Sequence, residues 1–209
     1  MPPAISRLPQ ICCVVLLLLL ASARATSQEI TPLDVVRDTS SRMLLALQSE
    51  RPRIAQDPGR LDELVAEIVL PYFDFRRMSQ WVLGRNWRTA TALQRERFVE
   101  QFRLLLVRTY GRALSEYAEE KVIYLPFDAG NAGDRVTVRT EIEQPGGTPI
   151  PISYSMYQSG NGWKVYDVAV SGVSLVTNYR SSFGSIIRKD GIDSLIEQLG
   201  NRNRGELHG

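Results

Sequence analysis

Apolar positions along the chain follow a helical period in the first half, a period of two in the middle, and a helical period again near the end. The longest helical pattern starts where Thr91 and Gln94 have the spacing of a capping box. Apolar residues then recur every three or four positions, at Phe98, Phe102, Leu105, Leu106, Tyr110, Ala113, Leu114 and Tyr117. The pattern predicts one long amphipathic helix.

Three shorter helices are predicted before this long one. Thr31 and Pro32 form an N-cap followed by proline at the first helical position. The Asp-Pro-Gly sequence at 57–59 separates the first helix from the second, and Pro71 ends the second. A third helix is predicted over 74–83. These three helices and the long helix together are expected to form a helical lobe over residues 31–118.

From residue 121 onward, apolar and polar residues alternate. Strands are predicted at 122–124, 136–142, 150–156 and 163–170, joined by short segments rich in Gly and Pro that favour an antiparallel meander. One face of such a sheet must be covered by helices. We therefore expect an α+β fold with a curved antiparallel sheet of four strands, or slightly more, over residues 121–170.

The last part of the chain returns to the helical period. Two closing helices are predicted at 174–189 and 192–199, which gives the element order αααα-ββββ-αα. Residues 26–200 are expected to form a single domain, and the polar segment 201–209 is predicted to be a disordered tail.

Residues 1–25 have the pattern of a secretory signal peptide. Arg7 precedes an apolar stretch at 11–20, and Ala-Arg-Ala at 23–25 is a cleavage site. The apolar stretch is too short for a membrane-spanning helix, which needs about 20 residues. Cleavage would remove Cys12 and Cys13, so we expect an exported protein without disulfides or thiol chemistry.

The charge of the mature chain is balanced. The signal peptide contains two of the 25 basic residues and none of the 23 acidic ones, which leaves 23 of each sign. This balance argues against nucleic acid as a partner and against strong electrostatic attachment to anionic membranes.

Catalytic chemistry has few candidates in this sequence. The only histidine, His208, lies in the predicted tail, and no phosphate-binding loop is present. A carboxylate base remains open, with Asp74 and Asp167 as candidates, and Asp167 is placed on the strand face that carries Val165. The alternative is a structural carboxylate paired with an arginine such as Arg180.

Arginines are concentrated between positions 76 and 112, where nine occur with few acidic residues. Two interpretations are open for this segment. It is a basic surface that binds lipid phosphates or an acidic partner, or it is a helix face in contact with solvent. Trp81 and Trp87 in the same segment have two interpretations, as lipid-interface side chains or as buried packing.

Four segments together resemble the MlaC or toluene-tolerance family of periplasmic phospholipid-binding proteins. They are DFRRMSQWVLG at 74–84, NWRTATALQRERF at 86–98, LLLVRTYGRAL at 104–114 and WKVYDVAVSGVSLVTNYRSSF at 163–183. The resemblance covers roughly 32–199, and the chain departs from the family pattern at Ser171, where an acid is more usual.

The resemblance implies a cone formed by a curved sheet, related to the nuclear-transport-factor and ketosteroid-isomerase fold, with an added helical lobe. It also implies an apolar cavity between sheet and helices that holds the acyl chains of a glycerophospholipid cargo, with no other cofactor, no metal and no catalytic residue. Taken alone, the apolar residues that face each other would be an ordinary core. With the resemblance, we expect the cavity to be lined by Phe102, Leu105, Leu106, Tyr110, Val136, Val138, Ile152, Tyr154, Met156, Val168, Val170, Val173, Tyr179 and Phe183.

The function implied by the resemblance is a periplasmic shuttle that carries phospholipid between the outer and inner membranes and maintains outer-membrane lipid asymmetry. Its implied partners are an inner-membrane ABC transporter with a substrate-binding ring and an outer-membrane lipoprotein complex. Two alternatives stay open. One is an isomerase or hydratase with Asp167 or Asp74 as base and Tyr154 or Tyr166 as electrophile. The other is a periplasmic adaptor with a solid core.

Overall fold

The computed structural model describes residues 30–57, 59–116, 120–127, 133–144 and 146–205. The predicted signal peptide at 1–25, with Cys12 and Cys13, lies outside the described residues. His208 and the end of the predicted tail, 206–209, lie outside them as well.

Helices dominate the first part of the described chain. They are α1 (Pro32–Ser49), α2 (Arg51–Gln56), α3 (Gly59–Ile68), a 3₁₀ turn (Leu70–Tyr72), α4 (Phe75–Leu83), α5 (Arg85–Thr89) and α6 (Ala92–Glu116). The predicted N-cap at Thr31 and the predicted capping box at Thr91 are both present, and Asp34 completes a capping box at Thr31 as well. Thr31 Oγ1 accepts from the Asp34 N–H at 3.1 Å, and Thr91 Oγ1 accepts from the Gln94 N–H at 3.2 Å. Because the caps fix where these helices begin, the starts of α1 and α6 agree with the prediction.

The sheet has five strands in sequence order, and every neighbouring pair is antiparallel. They are β1 (Val122–Tyr124), β2 (Arg135–Ile142), β3 (Ile150–Ser159), β4 (Gly162–Val170) and β5 (Val173–Ser174). The short β5 was not predicted. It forms because Ser171 and Gly172 both have positive φ, at 50° and 80°, as a tight hairpin turn requires.

A β-bulge in β4 changes which side chains face the helices. Ser155 pairs with Asp167 and Met156 pairs with Val165, so Tyr166 has no partner on β3. One extra residue reverses the alternation, and Asp167 lies on the face opposite to Val165. The prediction that these two residues share a face is therefore wrong.

The final helix, α7 (Leu175–Arg204), is longer than predicted. Gly191, with φ 84° and ψ 169°, separates its two halves at the place where two helices were predicted. Asn203 is buried and donates from Nδ2 to the backbone oxygen of Gln101 at 2.9 Å. This anchored end means that the prediction of a disordered tail is wrong over 201–204.

Two clusters of buried side chains hold these elements together. The larger one joins the inner face of the sheet to α4, α6 and α7. The smaller one joins α1, α3 and α6 through Met43, Leu47, Leu64, Val65, Ile68 and Val107. Helices thus cover one face of an antiparallel sheet, and the predicted α+β class is confirmed.

Candidate functional site

The inner face of the sheet is well packed at one end, which we call the filled end. Its sheet positions are Met156 and Val165, which pair with each other and are 0% and 3% exposed. The helix side chains of the same buried cluster include Met78, Phe98, Phe102 and Leu105. The rings of Phe98 and Phe102 stack at 5.7 Å, and both meet Phe183 edge to face. This end is a conventional solid core.

Side chains at the other end of the inner face retain accessible surface, and we call this the open end. It consists of Tyr110, Tyr124, Ile152, Tyr154, Val170 and Tyr179, all of them partly buried and packed against the core cluster. Ile152 and Tyr154 belong to β3, the central strand of the sheet. Their exposure therefore does not come from a sheet edge, and the helices do not completely cover this end.

Two tyrosines show that the open end is nevertheless shielded from bulk water. Burial raises the pKa of Tyr154. Burial and the nearby Tyr179 hydroxyl raise the pKa of Tyr110 to about 12. Both hydroxyls are thus partly withdrawn from water, although the two side chains keep accessible surface. The arrangement offers apolar walls and a few hydroxyls to a bound molecule.

The fourteen predicted cavity residues divide between the two ends. Seven are buried in the solid cluster: Phe102, Leu105, Leu106, Val138, Met156, Val168 and Phe183. Six are partly exposed: five belong to the open end, namely Tyr110, Ile152, Tyr154, Val170 and Tyr179, and the sixth, Val136, pairs with Met156 beside the filled end. Val173 pairs with Val170 across the β4–β5 hairpin, but it is 57% exposed because the short β5 lies at the edge of the sheet.

Further hydroxyls lie beside the open end. Tyr124 pairs with Thr140 in the β1–β2 register, and Thr140 pairs with Ile152 in the β2–β3 register. The Tyr124 hydroxyl lies 2.9 Å from Ser40 Oγ on α1. Thr140 is 1% exposed, and its Oγ1 has no hydrogen-bond partner in the described part of the chain. Periodicity did not single out these hydroxyls, although Thr140 alternates in phase with Val136 and Val138.

Both candidate carboxylates are occupied by structural hydrogen bonds. Asp74 accepts from the Arg77 N–H at 2.9 Å, which caps α4, and from the Tyr157 hydroxyl at 2.6 Å. Asp167 accepts from Ser174 Oγ at 2.6 Å and from the Val176 N–H at 3.1 Å, at the start of α7. Arg180 is not the partner of Asp167, because its guanidinium lies against Gly84 instead.

The α4–α5 segment places aromatic rings and guanidinium groups together. The guanidinium carbon of Arg77 lies 3.7 Å from the ring centroid of Tyr157, and the Trp81 and Tyr166 centroids are 5.0 Å apart. Trp81 is 40% exposed, whereas Trp87 is partly buried between Arg76 and Arg95. Of the two predicted interpretations, packing fits Trp87 and surface exposure fits Trp81.

The described residues contain no group of His, Cys, Asp and Glu side chains placed to hold a metal ion. In the same part of the chain, no helix is long and apolar enough to cross a membrane.

Comparison with known proteins decides the family. The model of the family described as "MlaC protein" matches residues 37–201, which is most of the chain. The chain belongs to the MlaC family. The match runs from α1 to the second half of α7, so it includes both ends of the inner face and the α4–α5 segment.

Individual relatives support the MlaC assignment along the same length. The chain is 28% identical over 179 residues to the intermembrane phospholipid transport system binding protein MlaC of Haemophilus influenzae, covering 84% of each chain. It is 29% identical to the toluene tolerance protein ttg2D of Pseudomonas putida, covering 85% of this chain and 83% of the relative.

A solved structure also matches this MlaC-family chain. It is the phospholipid-binding protein from Ralstonia solanacearum in complex with a phospholipid. The TM-score is 0.76 at 31% sequence identity, and the match covers 82% of this chain and 96% of the other. A chain of the same fold and comparable length thus accommodates a phospholipid.

Proposed function

We propose that this protein is a periplasmic phospholipid carrier that holds acyl chains at the open end of its inner face. The observation that carries the proposal is the partial exposure of apolar side chains on the central strand β3, at Ile152 and Tyr154. In a filled core these positions would be the most buried ones, as Met156 on the same strand is. The phospholipid complex of the Ralstonia solanacearum relative supports the same conclusion.

The energetics of a lipid in water require such an enclosure. Exposing an acyl chain costs about 0.8 kcal/mol per methylene, so two long chains cost on the order of 20 kcal/mol. A carrier must therefore surround both chains during transit. Carrying a lipid involves no chemical reaction, so the proposed function needs no catalytic residue and no cofactor besides the bound lipid.

Native mass spectrometry of the protein, purified from the periplasm without detergent, tests this proposal. We expect an additional mass that lipid extraction identifies as a diacyl phospholipid. A protein that carries no lipid, and takes none up from phospholipid vesicles, would contradict the carrier function and favour the solid-cored adaptor.

The place of the carrier in the cell follows from the resemblance. We propose that the segment 1–25 directs export and is removed, and that the protein shuttles glycerophospholipid between the two membranes. In this role it exchanges lipid with an inner-membrane ABC transporter bearing a substrate-binding ring and with an outer-membrane lipoprotein complex. The exchange maintains the lipid asymmetry of the outer membrane.

The surface around α4 and α5 has the composition of a protein-binding site. It presents Trp81, Arg76, Arg85, Arg88 and Arg180, and we call it the arginine surface. All five are exposed, and the four arginines form no ion pair with the described residues. Arg180 joins the group because its guanidinium packs beside Gly84, at the junction of α4 and α5. Tryptophan and arginine are enriched at interface hot spots, and we propose that an acidic face of a partner docks here.

Charge reversal at Arg85 and Arg88 tests the arginine surface. We expect Arg85→Glu with Arg88→Glu to weaken binding to the purified substrate-binding ring of the transporter by at least tenfold, with lipid content unchanged. Arg139→Glu, on an exposed outer-face position of β2, is the matched control. Equal binding by the two variants would place docking elsewhere.

The enzyme alternative loses its candidate base in this arrangement. Asp74 and Asp167 both cap helices and accept a second hydrogen bond from a neighbouring hydroxyl. We expect Asp167→Asn to lower stability by about 1 kcal/mol, because a neutral amide oxygen accepts these hydrogen bonds more weakly than a carboxylate. Its lipid content should stay that of the unmodified protein, and selective loss of lipid without loss of stability would reopen a chemical role for this residue.

A further inference from the structure

Polar atoms are gathered at one side of the open end, where β1 and β2 meet α1. Ser40, Tyr124, Thr140 and Tyr154 contribute them, and we call this group the hydroxyl cluster. Tyr124 and Thr140 are direct neighbours across β1 and β2. Tyr154 pairs with Val138, two positions from Thr140 on the same face. The three side chains therefore occupy adjacent positions on the inner face.

Part of this hydroxyl cluster has unused hydrogen-bonding capacity. Thr140 Oγ1 is buried and makes no hydrogen bond of normal geometry with the described residues. Burial raises the pKa of Tyr154 and its contact with the Thr140 side chain lowers it, so these two hydroxyls lie next to each other. Buried hydroxyls are costly to leave unpaired, and each exception in a native structure calls for a ligand or another partner.

The side chains around the hydroxyl cluster change from charged to polar to apolar across the sheet. Across the sheet, the register places Tyr124, Thr140, Ile152 and Val170 in one row, from the hydroxyls to purely apolar side chains. Beyond Tyr124, the guanidinium carbon of Arg37 lies 5.1 Å from the ring centroid. Arg37 is half exposed, and its only ion pair in the described chain is with Asp34 at 4.0 Å. The row thus runs from a surface cation through hydroxyls to an apolar wall.

We infer that the hydroxyl cluster binds the ester carbonyl oxygens of a glycerophospholipid, an inference that rests on the proposed carrier function. A diacyl phospholipid has the same sequence of chemical groups as this row: an anionic phosphate, two ester carbonyls and hydrocarbon chains. Ester carbonyls only accept hydrogen bonds, and unpaired hydroxyls can donate them. Thr140 and Tyr154 donate to the carbonyls, Arg37 faces the phosphate, and Ile152 and Val170 contact the chains.

If the hydroxyl cluster binds the ester carbonyls, the affinity for a phospholipid depends on whether its chains are joined to glycerol by ester or by ether bonds. An ether-linked phospholipid has the same chains and head group but lacks both carbonyls. A site that is built to hydrogen-bond a group discriminates against an analogue without it, because its own polar atoms are then left unpaired. A free fatty acid also offers acceptor oxygens, in its carboxylate, and is the other source of the same chemistry.

The test compares Thr140→Val combined with Tyr154→Phe against Thr137→Val, an exposed outer-face position of the same strand. Each lipid-free protein is titrated with a dioleoyl phosphatidylglycerol, with its dialkyl ether analogue and with sodium oleate. We expect the unmodified protein and Thr137→Val to bind the diester about tenfold more tightly than the diether, roughly as two hydrogen bonds would give. The double variant should bind both equally.

Arg37→Gln provides a second measurement. We expect it to weaken phosphatidylglycerol binding severalfold at low salt and less at high salt, because a half-exposed cation is screened. Arg42→Gln is the control, since Arg42 lies one turn further along α1 and pairs with Asp38 at 3.3 Å.

Each outcome separates this inference from the carrier function itself. Equal affinity of the unmodified protein for diester and diether overturns the inference and leaves the carrier intact. Failure to bind any phospholipid overturns the carrier. If oleate binds as tightly as the diester, the hydroxyl cluster binds a carboxylate rather than ester carbonyls, and the inference is overturned. Thr140→Val should not lower the melting temperature, since the hydroxyl is unpaired, and a large drop would mark a structural role and overturn the inference.

Discussion

The filled end and the open end of the inner face belong to the same strands but differ in what lies over them. At Met156 the helices pack directly onto β3 and leave no exposure, whereas Ile152 and Tyr154 on the same strand keep accessible surface. The aromatic column of Phe98, Phe102 and Phe183 covers the filled end. Tyr179 extends this column, at 5.4 Å from Phe102 and 5.1 Å from Phe183, towards the open end.

This difference shows how one small sheet combines stability with capacity. A solid core needs close packing, and a carrier of hydrocarbon needs unfilled apolar space. The chain separates the two requirements along its strands. The second cluster, between α1, α3 and α6, adds buried apolar contacts away from the open end and supports α1 beside it.

The largest expected contrast is between truncations at the two ends. Leu105→Ala removes a side chain that is 1% exposed, and we expect it to lower the free energy of unfolding by about 3 kcal/mol or more. Ile152→Ala at the open end should cost about 1 kcal/mol, because that side chain already keeps accessible surface. Urea denaturation of lipid-free protein measures both. Equal losses would mean that the open end is as filled as the other.

Replacing valine by the larger phenylalanine tests for unfilled space at each end. Val165→Phe at the filled end, where Val165 is 3% exposed, has no space to occupy, and we expect overpacking to cost roughly 1–3 kcal/mol. Val170→Phe at the open end should change stability by less than about 1 kcal/mol while reducing the bound lipid. Melting temperature and lipid-to-protein ratio, measured on the same preparations, check the two effects. Val170→Phe that unfolds the protein would refute the open end as unfilled space.

The stability of the protein at alkaline pH tests the desolvation of Tyr110 at the open end. Its pKa is raised to about 12 by burial and by the neighbouring Tyr179, and the unfolded value is near 10. Since the folded pKa is the higher one, the stabilising contribution is complete below pH 10 and is lost as the pH rises towards 12. Tyr110→Phe should remove this part of the pH dependence. Parallel stability curves for the two proteins from pH 9 to 12 would contradict the desolvation of Tyr110.

The smallest expected effect lies outside both ends. Gly184 lies inside α7, and a Cβ added there would have the Arg188 Nη1 atom as its nearest neighbour, at 3.5 Å. We therefore expect Gly184→Ala to raise stability by about 0.5–1 kcal/mol through helix propensity. Its lipid content should be unchanged, and calorimetry with lipid extraction checks both. A destabilised variant would show that α7 is packed more tightly there than these contacts indicate.

Local rules predicted much of the fold. The capping boxes at Thr31 and Thr91 fixed two helix starts, and the alternation at 136–142 located β2. The end of α7 was misjudged because the anchor of Asn203 is Gln101, which is distant in sequence. The bulge at Tyr166 was missed because a bulge depends on pairing with β3, and it moved Asp167 to the other face.

The candidate site was only partly predictable for a physical reason. Periodicity identifies the face of an element, and it correctly placed Ile152, Tyr154 and Met156 towards the helices. Whether the space above a face is filled depends on the distance between elements, which no local pattern records. Half of the predicted cavity residues are therefore solid core, and the Thr140 hydroxyl was passed over as one polar residue among valines.

Photo-crosslinking with a phospholipid that carries a diazirine in one acyl chain tests whether the open end holds the acyl chains. The purified protein would be loaded with this lipid, irradiated, and mapped by peptide mass spectrometry. We expect modification of open-end residues, namely Tyr110, Ile152, Tyr154, Val170 and Tyr179. Crosslinks confined to the arginine surface, or an absence of crosslinks at the open end in protein that retains the lipid, would contradict it.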